Sequence, residues 1–141
     1  MIEKDYLLKV IDKNGQFRAT IAHSTNLVQE AHQRHKTAAT ASAALGRVLT
    51  AALMMGSDLK NDGDSLTLRI NGNGISGPIM ATVDSQGNGR GLISNPLADL
   101  PSRYPGKLAV GEMVGKEGFL EVIKDLGLKQ PFIGRVPLVN G

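Results

Sequence analysis

Between Thr37 and Gly56 the chain reads TAATASAALGRVLTAALMMG, a run in which apolar residues recur with the period of a helix. Leu45, Val48, Leu49, Ala52 and Leu53 fall on one stripe. Ser42, Gly46 and Thr50 follow one another at intervals of four on a second face, small enough for another element to come close. Arg47 is the single charge. The pattern predicts a helix from about Thr40 that fades near Leu59 and is covered on most sides, a core helix. Its length and its Ser and Thr content fall short of a membrane span.

Shorter patterns flank it. Tyr6–Ile11 and Phe17–Ala22 are β-prone runs separated by Asp-Lys-Asn-Gly, and Asn14-Gly15 signals a hairpin turn. Ser24-Thr25-Asn26 opens a first helix, with Gln29 three residues after Asn26 in capping-box position. Leu27, Val28 and Ala31 face inward there, and Gln29, Glu30, Gln33, Arg34 and Lys36 face water. Beyond the polar loop Lys60–Asp64 the texture becomes strand-like. Leu66–Ile70 alternates, and Pro78–Val83 and Gly91–Ser94 flank a longer turn, Asp84–Gly89. Asn95–Gly106 holds three of the six prolines and reads as irregular. Lys107–Val110, Phe119–Asp125 and Phe132–Val139 complete a run of about six short strands. The predicted class is α+β: an N-terminal hairpin, two consecutive helices with the second largely buried, then a mostly antiparallel or mixed sheet.

Composition narrows the function. The chain has 141 residues, enough for one domain with a real core, and 41% of them are hydrophobic. A net charge of +3 comes from dispersed residues, as in Lys116, Glu117, Glu121, Lys124 and Asp125. Nucleic-acid binding needs clustered Lys and Arg, so that partner is not expected. There is no cysteine, hence no disulfide, thiolate nucleophile or cysteine-held zinc in these residues. The start, MIEKDYLLKVIDKNGQ, lacks the apolar run of a signal peptide, which makes the cytoplasm the expected compartment and a membrane an unexpected partner.

Candidate chemistry is sparse. Gly72-Asn73-Gly74-Ile75-Ser76-Gly77 matches G-x-G-x-x-G and follows a strand, but a dinucleotide site needs a helix opening at the turn. Pro78–Val83 is β-like and leaves no room for one, so the glycines are expected to supply positive φ angles in a tight turn. Use of this turn by a phosphate or nucleotide ligand stands as the alternative function. His32 and His35 could share a helical face, yet no third ligand is nearby and a solvated surface is expected. His23 sits alone at a strand–helix junction. Asp62 and Asp64 read as turn residues, no Ser elbow is present, and Arg47 is expected to be structural, with its head reaching water. Met54, Met55, Met80 and Met113 are adaptable contacts, with core packing their expected role. No residue is assigned a catalytic, cofactor-binding or metal-binding role, and no client-binding residue is assigned.

Several segments in order resemble the redox-regulated heat-shock protein 33 chaperones: Thr40–Arg47 (TASAALGR), Leu53–Gly56 (LMMG), Gly118–Leu128 (GFLEVIKDLGL) and Pro131–Gly141 (PFIGRVPLVNG). The opening hairpin and the EAHQRH-type helix agree. The resemblance implies a cytoplasmic, ATP-independent holdase, not an enzyme, that binds unfolding proteins under oxidative stress and is a dimer in its active form. It further implies a C-terminal module of four cysteines that holds zinc when reduced and forms disulfides when oxidised. No residue here matches those ligands, so zinc is implied for the full-length protein alone. Residues 1–141 are therefore expected to be the N-terminal client-binding and dimerisation core, incomplete and without its switch. The apolar terminal strand Phe132–Val139, with nothing after it, is expected to favour self-association.

Overall fold

In the computed structural model, which describes residues 3–139, strands β1 (Tyr6–Ile11) and β2 (Arg18–His23) pair antiparallel, with Tyr6 opposite His23 and Ile11 opposite Arg18. The turn is wider than two residues. The Asp12 N–H donates to the Phe17 carbonyl at 2.9 Å and the Gly15 N–H to the Asp12 carbonyl at 2.8 Å. The Asp12 carboxylate accepts from the Asn14 and Gln16 N–H groups, and Gly15 takes the left-handed φ of +68°. Phe17 thus belongs to the turn, and β2 begins one residue later than expected.

Helix α1 (Thr25–His35) starts after Ser24, but no capping box forms. The Ser24 hydroxyl is turned to Thr50 Oγ1, 2.7 Å away. The first free N–H groups are taken instead by Asp5, whose carboxylate accepts from Asn26 at 3.0 Å and Leu27 at 2.8 Å. A carboxylate there also suits the positive end of the helix dipole. Lys36 ends α1 in a left-handed conformation, and α2 (Ala39–Gly56) follows almost at once.

Helix α2 is the core helix that its pattern predicts. Leu45, Val48, Leu49 and Ala52 are buried and Leu53 is partly so. The small-residue face meets α1: a Cβ on Gly46 would lie 2.7 Å from Val28 Cγ1. By length and hydropathy alone α2 could cross a membrane, against the expectation from its Ser and Thr content, but half of that window is buried in the fold. It packs on β3, β4 and β5.

Those strands belong to a five-stranded antiparallel sheet in the order β5-β4-β3-β6-β7. They are β3 (Ser65–Asn71), β4 (Ile79–Asp84), β5 (Gly89–Ile93), β6 (Phe119–Asp125) and β7 (Phe132–Pro137). Leu66, Leu68, Ile79, Ala81, Val83 and Ile93 point to α2 and are buried, the alternation of a sheet covered on one side. Two expectations fail here. Val110–Val114 is helix α3 rather than the end of a strand at Lys107–Val110, since buried Val110, Met113 and Val114 repeat at three and four residues. Five strands, not six, follow the helices. Strand β7 also stops short of Val139, at Pro137, with one more bond beyond it from the Leu138 N–H to the Gly118 carbonyl at 2.9 Å. Asn140 and Gly141 of the expected terminal segment lie outside the described residues.

Candidate functional site

The glycine-rich turn is the first candidate, and four of its six N–H groups are already engaged. Gly74 N–H donates to Val114 O at 3.0 Å, Ser76 to Met113 O at 3.1 Å, Gly77 to Gly74 O at 3.2 Å and Asn73 to its neighbour Asn71 Oδ1 at 3.2 Å. A phosphate cradle needs such donors unspent. The expected positive φ is also confined to Gly77 and, among non-glycines here, Asn73. Gly72 and Gly74 serve close approach instead: a Cβ on either would lie 2.2–2.3 Å from a carbonyl oxygen of Gly115 or Met113. The motif is a packing joint between the β3–β4 connection and the segment after α3. Arg103, which lines the same hollow as Gly72, Asn73 and Gly74, is paired with Glu112 at 2.8 Å.

The histidines do not assemble a metal centre. His23 lies between two carboxylates, with Asp5 Oδ1 3.6 Å from Nδ1 and Glu3 Oε2 3.7 Å from Nε2, and it stacks on Tyr6 with centroids 5.3 Å apart. The carboxylates approach opposite ring nitrogens, so they do not converge on one point. His32 is not merely solvated: its Nδ1 is 3.0 Å from Ser42 Oγ and 3.2 Å from Thr37 Oγ1, which fastens the corner between α1 and α2. Ser42 also bonds the Ala38 carbonyl at 2.9 Å, a back-bonded helix serine. Among the described residues no three His, Asp or Glu side chains form a group able to hold a metal. With no cysteine in the sequence, the four-thiolate zinc site implied by the resemblance has no ligands in this chain.

Asp64 is buried and accepts from the Asn61 backbone and side chain at 3.1 and 3.3 Å, the turn role expected of it. Arg47 is exposed and has no carboxylate partner among the described residues, so its head reaches water. The methionines divide. Met113 is fully buried, whereas Met55 is exposed.

What the fold does present is apolar surface. Helix α2 covers one face of the large sheet over β3, β4 and β5; on the other face, Leu92, Phe119 and Ile133 are exposed. Charge is laid among them. Glu121 accepts from Arg69 at 2.8 Å and Arg135 at 3.2 Å, and the Arg135 guanidinium lies 5.0 Å above the Phe119 ring. The hydrogen bond from Arg135, reinforced by Arg69, holds the Glu121 carboxyl below its ordinary value of 4.5. A second apolar surface is the hairpin, where all six residues of β1 are exposed, five of them apolar. The sequence carried a signal for this. A half-buried strand alternates, and YLLKVI does not. Such surface, interspersed with soluble charge, can hold an apolar partner.

Residues 5–141 match the family described as "Hsp33 protein". A 33 kDa chaperonin of Bacillus mycoides (strain KBAB4) is 49% identical over 138 residues, which is 98% of this chain and 47% of the relative. The 33 kDa chaperonin of Bacillus cereus (strain AH187) has the same identity and coverage. The crystal structure of a 33 kDa chaperonin (heat shock protein 33 homolog) from Thermotoga maritima superposes with a TM-score of 0.89 at 35% identity, covering 96% of this chain and 46% of that one. The chain spans about half the length of the curated relatives it matches.

Proposed function

The chain belongs to the Hsp33 family, and we propose that it is the client-binding core of an ATP-independent holdase chaperone of the cytoplasm. One observation carries the reading. A well-packed core sits under α2, while bulky apolar residues of β1 and of the uncovered sheet face remain in solvent. A monomer seldom exposes such surface unless it meets a partner. Burying ~300 Å² of it would contribute about 7 kcal/mol before the costs of ordering, enough for weak and sequence-tolerant retention. Unfolding proteins expose the matching apolar segments. Holding them requires no nucleotide, which agrees with a glycine turn most of whose donors are spent.

Regulation by thiol oxidation is assigned to the part of the relatives that this chain does not match, because these residues offer no thiol. Homodimerisation is proposed through the large sheet at its terminal strand β7, where Phe132, Ile133 and Val136 are exposed. Neither nucleic acid nor a membrane is a proposed partner, since the basic residues are scattered and the apolar helix buries half of its length in the core.

The test is a light-scattering assay. The purified protein, without ATP, should suppress the turbidity of a chemically unfolded test protein at near-stoichiometric ratios. Equal turbidity with and without the protein would overturn the proposal. Nucleotides should leave the melting temperature unchanged, whereas a saturable rise would point to a ligand site.

A further inference from the structure

The hairpin has a free edge, and its geometry states what fits there. In an antiparallel ladder, bonded and non-bonded pairs alternate. The bond from the Asp12 N–H to the Phe17 carbonyl fixes the phase. Val10–Ala19, Leu8–Ile21 and Tyr6–His23 are then the bonded pairs, and the N–H and C=O groups of Leu7, Lys9 and Ile11 point away from β2. Among the described residues, none of these three has a backbone partner outside the hairpin. Strand β2 packs against α2, and β1 lies outside it.

Edges of this kind are normally guarded by charge, proline or a covering element. The two edges of the large sheet obey that rule. β7 carries Arg135 and ends at Pro137, and β5 runs beneath α1. β1 has one potential guard, Lys9, and its ammonium is drawn off to the Ser57 carbonyl and to Asp58, both at 2.9 Å. What remains is a row of three donors and three acceptors at strand spacing, with Tyr6, Leu8 and Val10 to one side and Leu7 and Ile11 to the other. A row of that spacing is matched by another extended backbone, and apolar side chains on both faces favour a segment of low charge and high β-propensity.

We propose that β1 is a strand-addition site, on which an extended apolar segment of a non-native protein docks as a third strand beside the hairpin. The inference rests on the holdase reading and gives it a place and a binding mode. Main-chain bonds supply the affinity, so retention is nearly independent of the client's sequence, while the side chains select against charge.

The experiment pairs retention with residue-resolved hydrogen exchange, using a reduced and carboxymethylated test protein as a permanently unfolded probe. Bound probe should slow exchange at Leu7, Lys9 and Ile11 and leave Tyr6, Leu8 and Val10 unchanged. Leu7→Pro, which deletes one outward donor without touching a β1–β2 bond, should retain the probe about three- to tenfold more weakly than Leu7→Ala, the loss of one or so main-chain bonds. Retention of the probe with unaltered exchange at the three outward amides would overturn the site and leave the holdase reading standing. Protection of those amides before any probe is added would also overturn it: a concentration dependence would assign the edge to a second copy, and its absence to another segment. Failure to retain the probe at all would remove both proposals.

Discussion

Replacing Gly72 by alanine tests whether the glycine-rich turn is a joint or a ligand loop. A Cβ at that position would stand 2.2 Å from the Gly115 carbonyl oxygen and 2.6 Å from that of Val114. Ordinary contact begins near 3.4 Å, so the two backbones must part by about 1 Å, a displacement of the size that makes overpacking cost about 1–3 kcal/mol. Parting them also strains two bonds across the joint, Gly74 N–H to Val114 O at 3.0 Å and Glu117 N–H to Gly72 O at 3.1 Å, each worth about 1 kcal/mol. Alanine returns about 0.4–1 kcal/mol by restricting the unfolded chain. The net expectation is a loss of about 3 kcal/mol. Gly87→Ala is the control. Its φ of +83° carries conformational cost, but no atom lies within 4 Å, so about 1–2 kcal/mol is expected. With no tryptophan in the chain, urea unfolding should be followed by far-ultraviolet circular dichroism, with the slope unchanged and the midpoint lowered. A Gly72→Ala midpoint equal to wild type would refute the packing argument; a normal midpoint with lost binding of a phosphorylated ligand would restore the ligand reading.

Three other outcomes follow from the same structure. Leu49→Ala empties a fully enclosed site between α2 and the sheet and should cost about 2–5 kcal/mol, read from urea midpoints. Asp5→Ala removes the carboxylate that caps α1 and should cost about 1 kcal/mol, while Ser24→Asp, which moves a carboxylate to the N-cap itself, should recover part of that loss in the Asp5→Ala background. For pH, Asp58 is lowered by its hydrogen bond from Lys9 and by Arg18, Asp84 by Asn88 and Gln86, and Glu121 by Arg135 and Arg69. The folded state therefore binds fewer protons than the unfolded one. Stability should be constant above the ordinary carboxylate values of 3.8 and 4.5 and fall as pH drops through them toward the lowered ones, as urea midpoints at neutral pH and at about pH 3 will check.

Local signals wrote most of this fold. The apolar stripe of α2 and the alternation in β3 and β4 place the core, and Asn14-Gly15 places the first turn. Failures arose where the deciding partner is remote. The cap of α1 comes from Asp5, beyond the window in which Asn26 and Gln29 form a plausible box. Gly72 and Gly74 are glycines because Val114 and Gly115 cross them some forty residues later in the chain. Helix α3 has five residues, too few for a helical period to outweigh the β-prone Leu108 and Val110. The candidate site was half legible: the unbroken apolarity of YLLKVI is visible, but which of its edges is free depends on where α2 puts β2.

Asp58 connects the stable part of the molecule to the adhesive one. It lies just beyond the C-terminus of α2, where a negative charge opposes the helix dipole, and it is exposed enough that its ion pairs add little stability. Its partners explain the position. Lys9 comes from β1 and Arg18 from β2, so one carboxylate grips both strands of the hairpin and ties them to the core helix. A two-stranded hairpin is marginal by itself, and one with apolar faces would collapse onto the core or pair with a neighbour. Held by charge at one end and by the Ser24–Thr50 bond at the other, it can stand in water with its outer edge open. The same grip takes the Lys9 ammonium away from that edge. Stability comes from the buried stripe of α2, and adhesion from a strand that the stripe does not cover, so changes to the outer strand should alter binding far more than folding.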